Sequence, residues 1–165
     1  MSKLAFCELD KANAGEWIPQ VFDILYTNMS QIAPTGNARK EDQAMWQSYF
    51  LPALEQGKIQ VVLAYAGETL AGYCQYSVRG DTVLVEEVEI KPEYQRSMVF
   101  YRLCQFMLQT VPENVRYLEA YADKRNRDSP PILKTLEMQK IGQNKSGTGW
   151  HFRGELAKAA ERFRR

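Results

Sequence analysis

Residues 85–103 read VEEVEIKPEYQRSMVFYRL, and the change of period inside them sets the fold. Up to Ile90 the residues are β-branched or alternating, as on a strand, and Pro92 then removes a backbone donor and ends the run. From 96 to 110, Val99, Leu103, Phe106 and Met107 recur at helical spacing. Upstream, IQVVLAY, a turn at Ala66-Gly67-Glu68, LAGYCQYSV, a turn at Arg79-Gly80-Asp81 and TVLVEEVEI predict a three-strand antiparallel meander. Before the meander, residues 4–9 form a short strand candidate. A helical stretch then begins at Asp10, carries Trp17, Val21, Ile24 and Leu25 on one face and breaks near Ala33-Pro34. A second helix is expected over 39–56, through Trp46, Phe50 and Leu54. Downstream, 115–121 is a strand candidate, and Asp128 or Ser129 caps a short helix that runs to Leu136 with proline in its first turn. Residues 139–143 and 150–156 flank a polar, Gly-rich segment as a closing hairpin, followed by a charged tail. The expected order is strand, two helices, three strands, helix, strand, helix, two strands.

The chain has 165 residues, of which 45% are hydrophobic and 12% aromatic, enough for one core and a single domain over 1–165. With 21 Lys and Arg against 20 Asp and Glu, the net charge of +1 creates no overall field for phosphate backbones or anionic lipid. Lys158, Arg162, Arg164 and Arg165 are interleaved with Glu155 and Glu161 and read as a solvated helix end, so neither nucleic acid nor membrane is expected as a partner. A lone His151 excludes a His-rich metal site. Cys7, Cys74 and Cys104 contain no CxxC pair and suit reduced thiols in a cytoplasmic protein. A Cys104–His151 nucleophile pair is an option, although Cys104 lies on the apolar face of its helix. No apolar run approaches the length of a signal peptide core or a membrane span.

The element order, together with Pro92-Glu93-Tyr94 leading into Gln95-Arg96-Ser97-Met98-Val99-Phe100, resembles the GCN5-related N-acetyltransferase (GNAT) superfamily along nearly the whole chain. The family loop has the form (Gln/Arg)-x-x-Gly-x-(Gly/Ala). Its physical basis is the positive, N–H-rich first turn of a helix, which can hold a pyrophosphate. Here Met98 and Phe100 stand at the usual glycine positions, and Gln95 and Arg96 add side-chain donors. Residues 126–138 are similar to the family's Asn-x-x-Ala-x-x-x-Tyr-x-x-x-Gly-Phe: Asn126 is kept, Leu133 replaces the Tyr that protonates the departing thiolate, and Glu137-Met138 replaces Gly-Phe. Tyr94, Tyr101 and Tyr121 are the candidate substitutes for that acid.

The resemblance implies an α/β (α+β) fold, with a mixed, mostly antiparallel sheet of about six to seven strands flanked by helices. It also implies an acyl-CoA-dependent N-acyltransferase that moves an acetyl group from acetyl-CoA to a small-molecule or peptide amine by direct attack, without a metal. Backbone groups of Val88, Glu89 and Ile90 would pair with the pantetheine arm. Gln95, Arg96, Ser97, Met98, Val99 and Phe100 would hold the pyrophosphate, and Asn126 would support the arm. Glu87 or Glu86 would receive the amine proton, because an ammonium must lose its proton before it can attack. On a regular strand Glu86 shares a face with Leu84, Val88 and Ile90, whereas Glu87 shares one with Val83, Val85 and Glu89. That parity makes Glu86 the buried acid unless a bulge or splay intervenes. The aromatics of the second helix, Trp46, Tyr49 and Phe50, would line either the acceptor cleft or the core, and the late strands allow a homodimer. The alternative is a GNAT-fold binding or interaction module that has lost catalysis, which the loss of both loop glycines and of the Tyr would explain.

Overall fold

The computed structural model describes residues 3–164. Alternating segments form the strands β1 (Ala5–Glu8), β2 (Gln60–Ala66), β3 (Thr69–Arg79), β4 (Thr82–Ile90), β5 (Tyr117–Asp123), β6 (Gln139–Gln143) and β7 (Gly149–Glu155). Segments of helical period form α1 (Ala14–Ile32), α2 (Arg39–Glu55), α3 (Val99–Thr110), α4 (Ser129–Thr135) and α5 (Leu156–Arg164). The seven strands make one sheet in the order β1-β2-β3-β4-β5-β7-β6. Only β4 and β5 run parallel, as expected where a helix crosses between them. The hairpin turns β2–β3 and β3–β4 are closed by Gly67 and Gly80, both at positive φ.

Each face of the sheet is covered by what the sequence period makes apolar. On one face Trp17, Ile18, Val21 and Ile24 of α1 and Phe50 and Ala53 of α2 pack on Val61, Leu63, Leu70 and Tyr73. On the other, Val99, Leu103, Cys104 and Met107 of α3 and Ala159 and Phe163 of α5 pack on Val62, Cys74, Val83, Leu118, Ala120 and Phe152. Val21, Phe50, Leu63 and Leu103 are fully buried, and each contributes roughly 1.5–3 kcal/mol in burial. None of the described helices is long and apolar enough to cross a membrane.

Three sequence expectations are corrected. The charged tail, expected as a solvated helix end, is a helix with one buried face: α5 places Ala159 and Phe163 one turn apart and packs them against α3, with the Phe163 and Tyr101 rings 6.2 Å apart. Neither Asp128 nor Ser129 caps α4 through its side chain. Asn126 does so instead, its Oδ1 accepting from the N–H groups of Asp128 (3.1 Å) and Ser129 (3.3 Å). Third, β4 is not regular. Gln75 pairs with Glu87 and Tyr76 with Val85, which leaves Glu86 as an extra residue in a β-bulge. The bulge reverses parity, so Val83, Val85, Val88 and Ile90 all face the α3 layer. Glu87 and Glu89 therefore turn toward α1 and Tyr73, and Glu86 is not the core-facing acid.

Candidate active site

The β4–β5 ladder runs from Thr82 opposite Tyr117 to Val85 opposite Ala120 and stops. Beyond that point β4 continues to Ile90 against β3 alone, and β5 continues to Asp123 against β7 alone. The strands part at the bulge and open a cleft of about 570 Å³ between them, a volume in the range of small-molecule sites. The Ile90 carbonyl faces into it, accepting from Asn28 Nδ2 and Gln95 Nε2, each at 3.0 Å. The strand repeat turns the backbone of Val88 the same way, toward the side where β4 has no strand neighbour.

One end of the cleft is the loop into α3. A short 3₁₀ turn at Pro92–Tyr94 leads to Arg96, which adopts φ 66°, a left-handed conformation that disfavours side chains. The Ser97 hydroxyl donates to the Tyr94 carbonyl and accepts from Val99 N–H at 3.3 Å. The first helical bond after the loop is Arg102 N–H to Met98 O, so the Phe100 and Tyr101 N–H groups lie in a first turn that offers them no helical carbonyl. Gln95, Arg96, Ser97 and Phe100 line the cleft; Arg96 is the one Lys or Arg among the described lining residues. Met98 and Val99 are not brought into it: Met98 is 62% exposed, and Val99 is buried in the α3 core.

The other end holds carboxylates. Tyr73 hydroxyl donates to Glu87 Oε2 at 2.8 Å. Burial pushes the Glu87 carboxyl up from 4.5 to about 7; the Tyr73 hydrogen bond works against this rise, and the charges of Glu89 and Glu86 add to it. Burial also raises Glu89, opposed by a 2.8 Å hydrogen bond from Asn28 Nδ2. Glu86 lines the cleft at the bulge. Tyr49 of α2 is 59% exposed, and its phenol is raised by burial and by the nearby Glu86 and Glu87, whereas Phe50 is core and stacks on Trp46 at 4.3 Å.

Across the cleft stand Asn126, Leu133 and Tyr121. The Asn126 amide is already used, with Nδ2 donating to Ser129 Oγ at 2.7 Å. Tyr94 and Tyr121 line the cleft; Tyr101 does not, and packs edge-on against Phe100. Tyr121 stacks on His151 at 4.4 Å. His151 Nε2 lies 3.0 Å from Glu119 Oε1 but out of line for a hydrogen bond. The Cys104–His151 pairing is not formed: Cys104 sits in the α3 core, where burial pushes its thiol up to about 12, while His151 packs with Tyr121 and Glu119. Sequence reasoning missed Tyr73 and Asn28, which carry the polar contacts of Glu87 and Glu89. Tyr73 lies in an otherwise apolar strand pattern, so nothing in the sequence separates its hydroxyl from a packing role.

The overall fold is shared with solved acetyltransferases. The chain is similar to the PaiA N-acetyltransferase from Thermoplasma acidophilum in complex with coenzyme A (11% identity, 93% of this chain and 99% of that chain, TM-score 0.70). It is similar to an acetyltransferase from Thermus thermophilus (14% identity, 94% and 100% covered, TM-score 0.71) and to a GNAT-family acetyltransferase from Staphylococcus aureus (12% identity, 93% and 99% covered, TM-score 0.67). The fold is that of the GNAT acetyltransferases. No family model and no curated protein matches the sequence.

Proposed function

We propose that the protein is an acetyl-CoA-dependent N-acetyltransferase whose acceptor is a small-molecule or peptide amine. The observation that carries this reading is the placement of a half-buried carboxylate, Glu87, in the same cleft as an unpaired stretch of strand at Val88 and a helix first turn flanked by Gln95 and Arg96. The donor set fits the co-substrate: amide-like pairing partners at Val88 for a pantetheine arm, and N–H groups with one guanidinium for a pyrophosphate. Met98 points away into solvent and does not fill that space. The coenzyme A complex of the Thermoplasma protein supports the same ligand class.

Bound acetyl-CoA supplies an activated acyl carbon. Glu87, ionised above about pH 7, takes the proton of the acceptor ammonium, directly or through water, so that the neutral amine can attack. Tyr94 and Tyr121 are the phenols in the cleft that can return a proton to the leaving sulfur. The three free thiols suit a cytoplasmic setting. A homodimer through the outer strand β6, whose residues are all exposed, belongs to the same proposal.

Leu133 favours a second reading, a binding module without turnover, because leucine at that position cannot donate a proton. Calorimetry with acetyl-CoA and CoA, followed by turnover assays over a panel of primary amines, separates the two. Binding with turnover is expected. No heat and no thermal shift at millimolar ligand would sink the enzyme reading, and tight binding with no turnover over the amine panel would favour the module.

A further inference from the structure

We propose that Tyr73 is the positioning residue of Glu87: its hydroxyl fixes one carboxylate oxygen and holds the carboxylate in the ionised form. The proposal rests on Glu87 being the base and adds a residue that acts only through it. Tyr73 sits on β3 opposite Glu89 and one strand repeat from Gln75, the partner of Glu87, so its ring lies diagonal to Glu87 on the same face. That ring is 0% exposed and is enclosed by the α1 core around Trp17, Ile18 and Val21. A phenylalanine would fill the same volume. A hydroxyl taken out of water needs a partner, and the partner here is Glu87 Oε2 at 2.8 Å. Among the described residues Glu87 Oε1 has no hydrogen-bond partner and is left to meet an acceptor.

Burial and the adjoining carboxylates push the Tyr73 phenol well above its ordinary value, so it stays a donor across the neutral range. The groups facing Glu87 are Glu86 and Glu89 on its own strand, Tyr73 on β3, Tyr49 on α2 and, from α1, the neutral Asn28, which engages Glu89. Tyr73 is thus the donor set against two like charges. Its removal favours the protonated acid.

The test is the ¹³C side-chain carboxyl titration of Glu87 in the wild type and in Tyr73→Phe, with Glu87→Gln identifying the resonance. It needs no knowledge of the acceptor. Tyr73→Phe is expected to raise the midpoint by about one pH unit, a roughly tenfold loss of the ionised form on the acid side. 3-Fluorotyrosine at position 73, a stronger donor of nearly the same shape, should lower it, and it serves if the phenylalanine variant does not fold. With an amine found active in the panel, the acid limb of kcat/KM should follow both shifts, with kcat changed more than KM. A midpoint unmoved by either replacement overturns the proposal. A Glu87→Gln variant as active as the wild type would instead remove the base reading, and would leave the titration to decide whether Tyr73 sets the ionisation of Glu87.

Discussion

Among the described residues two that are not glycine, Arg96 and Glu137, hold positive φ, at 66° and 60°. Glu137 follows α4 in the position a glycine usually takes: its N–H reaches Lys134 O (2.9 Å), and Met138 N–H reaches Leu133 O (3.1 Å), the paired bonds of a Schellman ending. A side chain in that conformation costs about 1–2 kcal/mol, and glycine gives back about 0.5–1 kcal/mol of that through unfolded-state entropy. Glu137→Gly should therefore stabilise the fold by about 0.5–1 kcal/mol in urea titration; the 3.9 Å contact with Arg162 on the surface offsets little of this. Arg96→Gly should give a similar gain and weaken acetyl-CoA binding about tenfold by calorimetry, because it removes the one guanidinium of the cleft. The strain at Arg96 sits beside the first turn of α3, the turn proposed above to take the pyrophosphate, as stored strain often does at working sites.

At the scale of elements, the strands and longer helices were legible because each buries one face, and one-sided burial writes its period into the chain. The bulge left only a faint mark, the doublet Glu86-Glu87 at which the apolar positions pass from Val83 and Val85 to Val88 and Ile90, and which of the two glutamates is the extra residue is set by the register against β3. This single displacement decides which glutamate meets the Tyr73 hydroxyl, so the site was legible to the segment and not to the side chain. The buried face of α5 was hidden for another reason: its apolar stripe, Ala159 and Phe163, is too sparse to stand out among the charges around it. The β3–β4 contact also carries a steric demand. A Cβ at Gly72 would lie 2.7 Å from Ile90 Cδ1 and 2.9 Å from Glu89 O. Since the second is backbone, β4 itself must move. Gly72→Ala should cost about 1–3 kcal/mol and shift the amide resonances of Val88, Glu89 and Ile90, the stretch that borders the cleft.

Over the whole molecule, the opposing layers leave Glu87 between a core that excludes water and a cleft that admits a ligand, and this ties stability to activity through pH. The Glu87 carboxyl stands near 4.5 in the unfolded chain and about 7 in the fold, so between those values the folded protein binds the extra proton. Stability then falls as pH rises through that window. The rise corresponds to a contribution on the order of 3 kcal/mol that is present below the lower value and gone above the higher one. On the proposed base role, activity runs the other way, because a base works only when ionised. Glu87→Gln should therefore be more stable than the wild type at pH 8 and equal to it within about 1 kcal/mol near pH 4, with the acid limb of kcat/KM lost. Urea melts at the two pH values measure the first effect, and rates over the same range measure the second. A variant less stable than the wild type at pH 8 would mean that the ionised carboxylate is held by the fold at a net gain, contrary to its burial.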